Sequence, residues 1–137
     1  MNPIRALLAS FSYVRAGDYL QQEAYADAKR CITKAMRILG KRNSEPGLFE
    51  FHLRSALIDE RLGNVESSTS SVQRAMQGID AYSRLNPFDR KYLLDYCRRF
   101  LVDLGTMADE VPHEISEEEY DCVTRRYRRE YPLKWVD

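Results

Sequence analysis

Four arginines and one tyrosine stand together near the end of the chain: Arg125, Arg126, Tyr127, Arg128 and Arg129. Arginine forks bind phosphate oxygens at two points, so this cluster has the chemistry of a nucleic-acid contact. An acidic run at residues 117–119 precedes it, and 21 basic residues balance 21 acidic ones in the chain. Acids at the start of a helix and arginines towards its end also complement the helix dipole. We favour this structural interpretation and keep nucleic-acid contact as the alternative.

Residues that could hold a metal or act as nucleophiles are few and scattered. The chain has two histidines, His52 and His113, and three cysteines without a CxxC pair, Cys31, Cys97 and Cys122. A zinc site needs such ligands at short, convergent spacings, so we predict no metal. Each cysteine stands among apolar helical neighbours, where we expect a small buried hydrophobic residue.

Acidic pairs are common, but they stand at positions that suit helix ends and solvent faces. A general acid–base pair needs surroundings that shift the pKa of one carboxyl group, and neither Asp59-Glu60 nor residues 117–119 indicate them. The six glycines are isolated, so no phosphate-binding loop is indicated. We predict a protein that is not an enzyme and has no cofactor. A hydrolase or transferase site assembled only in space is a third class, and it would require perturbed titratable groups in a pocket.

The length of 137 residues predicts a single domain over residues 1–137. Hydrophobic residues make up 44% and charged residues 31%, which excludes disorder of the highly charged kind. No run of apolar residues is long enough to span a membrane. The first residues fit a helix with Asn2 as N-cap and Pro3 at its first position better than a secretory signal, so we expect a cytoplasmic protein.

Apolar and small residues recur at helical spacing with an offset of 40 positions, as from Ala35 to Ala75. A repeat of this length indicates an all-α array of antiparallel helix pairs. We expect the first pair at residues 1–40, with a break near residues 16–18 or slightly beyond. The second pair is expected at residues 44–80.

The rest of the chain carries two strong helix-start signals. Asn86-Pro87 predicts a fifth helix with an N-cap and a proline in its first turn. Ser116 and Glu119 form a capping box for the last helix, which we expect to end at Pro132. Residues 86–131 would then be a degenerate third pair or C-terminal cap, giving about six helices, and residues 132–137 a short tail.

With this register, the two units resemble the tetratricopeptide repeat (TPR). The family's small positions hold Ala16, Ala28 and Ala35 in the first unit and Ala56, Ser68 and Ala75 in the second. Gly63 takes the place of the family's turn. The resemblance covers about residues 9–80, and the period of 40 exceeds the family's usual period of about 34, so the loop between the units must be longer.

The resemblance implies a groove lined by the first helix of each pair, in which an extended or helical peptide lies. The family's groove positions correspond to Tyr13, Leu20, Gln21, Glu50, Leu53, Leu57, Glu60 and Arg61, and a fifth helix continuing the array would add Arg98 and Arg99. The expected function is a non-catalytic protein–protein interaction module, whether adaptor, chaperone-like or immunity-type protein. Two repeats leave an end of the array exposed, so we also hold self-association into a homo-oligomer as a hypothesis.

Overall fold

The structure is a computed structural model that describes residues 2–107 and 113–133. It contains seven α-helices in these residues: α1 (Pro3–Gln21), α2 (Tyr25–Leu39), α3 (Phe49–Arg61), α4 (Val65–Ala81), α5 (Pro87–Asp103), α6 (Glu117–Tyr120) and α7 (Arg125–Glu130). Two short 3-10 helices, Gly40–Ser44 and Pro46–Leu48, join α2 to α3. The described residues contain no strand, which confirms the all-α prediction.

Helices α1 and α2 form one hairpin, and α3 and α4 form a second. The Arg5 guanidinium, at the start of α1, donates to the carbonyl of Ile38 near the end of α2 at 3.0 Å, so the first pair is antiparallel. In the second pair, Gly78 near the end of α4 lies against Phe49 at the start of α3. A Cβ at position 78 would be 3.0 Å from the Phe49 Cβ, so the glycine permits this close crossing.

The 40-residue repeat is present in the backbone of both hairpin turns. Glu23 and Gly63 both lie in the left-handed region, with φ of 61° and 79°. The backbone N–H groups of the next residues, Ala24 and Asn64, bond back into the preceding helix at 2.9 and 2.8 Å. Helix α1 therefore continues through residues 16–18, and its break comes slightly beyond them.

Burial follows the same offset in both pairs. The matching buried positions are Ala9 and Phe49, Ser12 and His52, Ala16 and Ala56, Ala28 and Ser68, Ile32 and Val72, Ala35 and Ala75, and Leu39 and Ile79. The small residues among them allow the helices of each pair to approach closely. One core joins the second pair to α5, and a smaller one joins the first pair to α3 through Ile58.

The predicted last helix is interrupted, which corrects the expectation of one helix ending at Pro132. Its capping box forms, but α6 ends at Tyr120. The buried Asp89 carboxylate accepts hydrogen bonds from the Thr124 backbone N–H at 2.8 Å and from the Thr124 hydroxyl at 2.7 Å. Val123 is buried in a cluster with Tyr92 of α5. These contacts hold residues 121–124 in a non-helical turn, after which α7 begins.

Of the two alternatives for residues 86–131, a third helix pair and a C-terminal cap, the third pair is not formed by the described residues. Helix α5 packs on α4 and ends in a left-handed turn at Gly105, with φ of 80°, as α3 does at Gly63. No second long helix follows α5 in the ranges that the structure covers, and the chain instead returns through α6 and α7 towards α3. The last four positions of the predicted tail, residues 134–137, lie outside the described residues.

Candidate functional site

A half-open groove of about 630 Å³ lies between the C-terminal halves of α1, α3 and α5. Its apolar lining consists of Leu20, Tyr25, Leu57, Tyr96, Phe100, Leu104 and Pro132. Its polar lining consists of Gln21, Glu23, Glu60, Arg61, Arg99, Asp103 and Glu130. The groove thus combines an aromatic and aliphatic surface with four acidic side chains and two arginines.

Six of the ten residues predicted to bind a partner line this groove: Leu20, Gln21, Leu57, Glu60, Arg61 and Arg99. They come from three helices that are separated in the chain. The repeat explains the convergence, because the ends of α1 and α3 are equivalent positions in two successive helix pairs. Helix α5 then takes the next place beside α4.

The remaining four predicted residues are not part of the groove lining. Leu53 belongs to the main core, with 1% of its surface exposed. Arg98 donates to the carboxylates of Asp95 and Glu114 at 3.0 and 3.1 Å. It therefore helps to fasten the segment before α6 to α5.

Tyr13 lies at the joint between α1 and α3. The guanidinium carbon of Arg54 is 3.8 Å from the centre of its ring, and the Phe51 ring is 4.6 Å away. Arg54 also donates to the Tyr13 carbonyl at 3.0 Å. Gly17 makes this approach possible, because a Cβ there would be 2.8 Å from the Arg54 Nη1. Burial raises the pKa of Tyr13 to about 12.

Glu50 is bound by the C-terminal segment of the chain. Arg126 donates to both of its carboxylate oxygens at 2.8 and 2.9 Å, and the Tyr131 hydroxyl donates to Oε1 at 2.8 Å. The carbonyl of the buried Tyr131 in turn accepts from the Tyr92 hydroxyl at 2.7 Å. Burial is the main cause of a raised pKa at Tyr131. The surface around Glu50 is therefore covered by α7 and the residue after it.

One member of the arginine cluster, Arg126, takes part in the contact with Glu50. Arg126 pairs with Glu130 at 2.9 Å as well as with Glu50, and hydrogen bonding to Glu50 raises its pKa. The Arg128 guanidinium carbon lies 5.1 Å from the centre of the Tyr120 ring. Two of the four arginines are thus held by protein groups, while Arg125 and Arg129 are exposed.

The potential metal ligands do not come together into a metal site in the described residues, and the three cysteines form no disulfide. No group of three or more His, Cys, Asp or Glu side chains within them could hold a metal ion. Cys97 is buried, and burial raises the pKa of its thiol to about 12. Cys31 is half-buried, and the expectation of burial is wrong for Cys122, which is exposed in the turn between α6 and α7. None of the described helices has the length and apolarity needed to cross a bilayer.

The sequence prediction missed most of the contribution of α5 to the groove. Tyr96, Phe100 and Leu104 line it, and their spacing of four residues places them on one face of the helix. The four-residue spacing of these apolar side chains is the sequence signal that could have predicted the contribution of α5. The repeat register did not extend to it, because α5 does not match the first two units residue by residue.

No family model, curated protein or solved structure matches this chain. The functional interpretation of the groove therefore depends on its geometry and chemistry.

Proposed function

We propose that this chain is a non-catalytic, TPR-like interaction module that holds a segment of a partner protein in the groove between α1, α3 and α5. The observation that carries the proposal is the convergence of six predicted contact residues on one open groove of about 630 Å³. Arrays of helix pairs use such concave surfaces to bind extended or helical segments. An adaptor, a chaperone-like protein and an immunity-type protein would all use the groove in this way.

The lining indicates the chemistry of the partner segment. Leu57, Phe100 and Leu104 offer an apolar surface for one anchoring side chain, and aromatic and aliphatic anchors dominate the energetics of such interfaces. Acidic side chains outnumber arginines by four to two around this surface. Charge complementarity then favours lysine or arginine beside the anchor of the partner.

A peptide library displayed on phage tests this proposal directly. We expect selection on the wild-type protein to enrich sequences with a large apolar residue flanked by lysine or arginine. Leu20→Lys removes apolar surface from the groove and adds a positive charge that repels the lysine or arginine of the selected peptides, so it should reduce their binding at least tenfold, a change of about 1.4 kcal/mol or more.

The control variant is Arg37→Glu, which changes the charge of an exposed residue of α2 outside the groove. It should leave peptide binding unchanged, and circular dichroism should show both variants folded. Peptides that bind Leu20→Lys and wild type equally would contradict the groove assignment. Failure to enrich any peptide would count against a peptide-binding function.

A further inference from the structure

The outer face of α1 carries five large apolar side chains that the rest of the described chain leaves uncovered. Ile4, Leu7, Leu8, Phe11 and Val14 are each between 48% and 67% exposed. Their spacing of three and four residues places them in one stripe along the helix. The buried residues of α1, Ala9, Ser12 and Ala16, lie on the opposite face. We call these five side chains the α1 stripe.

The repeat shows what kind of surface the α1 stripe is. Phe11 corresponds to Phe51 at the 40-residue offset, and Phe51 packs into the cluster that joins α3 to the first helix pair. Its ring contacts Tyr13 of α1 at 4.6 Å. The same helix position thus contacts a neighbouring helix in the second pair and solvent in the first. The α1 stripe has the character of a helix-packing surface without its neighbour.

The stripe is also complementary to itself. Ile4 and Val14 stand at equal distances from position 9 along the helix, as do Leu7 and Phe11. Two copies packed antiparallel would therefore place Ile4 against Val14 and Leu7 against Phe11, twice over. Such a two-fold arrangement, in which the same patch serves both subunits, is the commonest form of homodimer.

The exposed area agrees with this arrangement. Five large side chains at half to two-thirds exposure present on the order of 500 Å² of apolar surface, which matches the largest and often functional patches of monomers. Two such patches fully buried against each other remove about 1,000 Å² from solvent, which is the threshold for a biological interface and predicts a weak dimer that forms at high concentration.

From the stripe, its symmetry and its area we infer that a second copy of this chain docks on α1, forming an antiparallel homodimer about a two-fold axis at the level of Ala9. The groove between α1, α3 and α5 is lined by Leu20 and Gln21 on α1, beyond the C-terminal end of the stripe. The α1 stripe and the groove therefore share no residue. The inference is independent of what the groove binds.

Light scattering coupled to size-exclusion chromatography of the full chain tests the inference. At high micromolar concentration, wild type should elute with twice the mass of one chain. Phe11→Asp places a charge at the centre of the stripe and should weaken the dimer at least tenfold, giving the mass of one chain. Val65→Asp is the matched control, because Val65 is similarly exposed but stands at the start of α4, outside the stripe. It should remain dimeric.

Two outcomes would overturn the inference. Wild type that stays monomeric at this concentration would exclude the dimer, and a dimer that Phe11→Asp leaves intact would place the interface elsewhere.

Sedimentation with anionic phospholipid vesicles, run on the same samples, tests whether a lipid surface covers the stripe instead. Monomeric wild type that sediments with vesicles, when Phe11→Asp does not, would assign the stripe to a lipid surface. Far-ultraviolet circular dichroism confirms that each variant is folded.

Discussion

The two helix pairs share one backbone plan but have different surroundings. Their turns, cap hydrogen bonds and buried positions correspond at an offset of 40 residues. The second pair lies between the first pair and α5, whereas the described residues leave the outer face of α1 exposed. A residue at a given repeat position is therefore buried or exposed according to whether a neighbouring helix packs against it. Paired substitutions at equivalent positions can measure this difference.

The largest difference in unfolding free energy is expected between alanine variants of Phe51 and Phe11, which occupy equivalent positions in the two helix pairs. Phe51→Ala should lower the free energy of unfolding by about 2 kcal/mol, since it removes a ring packed between α3 and the first pair. Phe11→Ala should change it by less than about 0.5 kcal/mol in the monomer, because the ring is 59% exposed. Urea denaturation at low protein concentration, where a dimer would dissociate, measures both. Equal losses would show that α1 is covered within the monomer.

Substitutions at the positive-φ residues of the two hairpin turns should change the unfolding free energy in opposite directions. Gly63→Ala puts a Cβ into the left-handed region, and we expect a loss of about 1 kcal/mol. No atom lies within 4 Å of that Cβ, so the loss is purely conformational. Glu23→Gly relieves the same strain in the first turn and should raise the unfolding free energy by up to about 1 kcal/mol. Thermal unfolding of both variants against wild type would show the two signs, and a destabilised Glu23→Gly would contradict the equivalence.

A smaller effect is expected where one pair has a hydroxyl and the other a methyl group. The buried Ser68 hydroxyl donates to the Ala56 carbonyl at 2.7 Å. Ser68→Ala should therefore cost about 1 kcal/mol in unfolding free energy. The reverse change in the first pair, Ala28→Ser, provides a donor in the matching position and should cost less. Denaturant titration of the two variants checks this, and a larger loss for Ala28→Ser would show that the two crossings differ in spacing.

The smallest expected effect is a pH dependence that His52 gives to the second pair and that the first pair lacks. Burial is the main cause of a lowered pKa at His52, and its ring nitrogen Nε2 lies 2.7 Å from the Asn43 carbonyl, which requires an N–H there. The folded protein thus binds this proton less readily than the unfolded chain. The resulting stability is complete above the ordinary pKa of 6.5 and declines as the pH falls below it, towards the folded value.

Position 12, the equivalent of His52 in the first pair, is a serine, so that pair lacks this contribution. Between pH 7.5 and 5, the unfolding free energy of wild type should fall more steeply with decreasing pH than that of His52→Gln. His113→Gln is the control, because the pKa of His113 is also lowered and its own contribution must be separated. A variant slope identical to wild type would remove His52 as the source.

Much of the fold could be predicted because its signals are local. The side chains of Asn2 and Asn86 accept hydrogen bonds from Ile4 and Asp89, and the capping box at Ser116 forms, all as the sequence indicated. Each of these interactions spans two or three residues, so composition and spacing are enough to predict it. The 40-residue offset between the helix pairs was visible for the same reason, since it repeats local patterns.

The groove could be predicted only where the repeat extends. Leu20 and Leu57 were placed by the register of the two units, and both line the groove. Glu50 was assigned to the partner surface by the same register. Its carboxylate is instead held by Arg126, 76 residues away in the chain. A pairing over that separation leaves no periodic signal, because either residue alone is typical of an exposed helix surface.

By itself, the sequence determined the helices, their caps, their pairing into hairpins and the faces that they bury, because each depends on spacings of a few residues. The tertiary structure decided three further features. The buried Asp89 carboxylate binds Thr124, 35 residues away, and so divides the last helix. The segment that follows covers Glu50 and contributes Glu130 and Pro132 to the groove lining. The α1 stripe stays uncovered because burial depends on which helices become neighbours, and no local pattern specifies this.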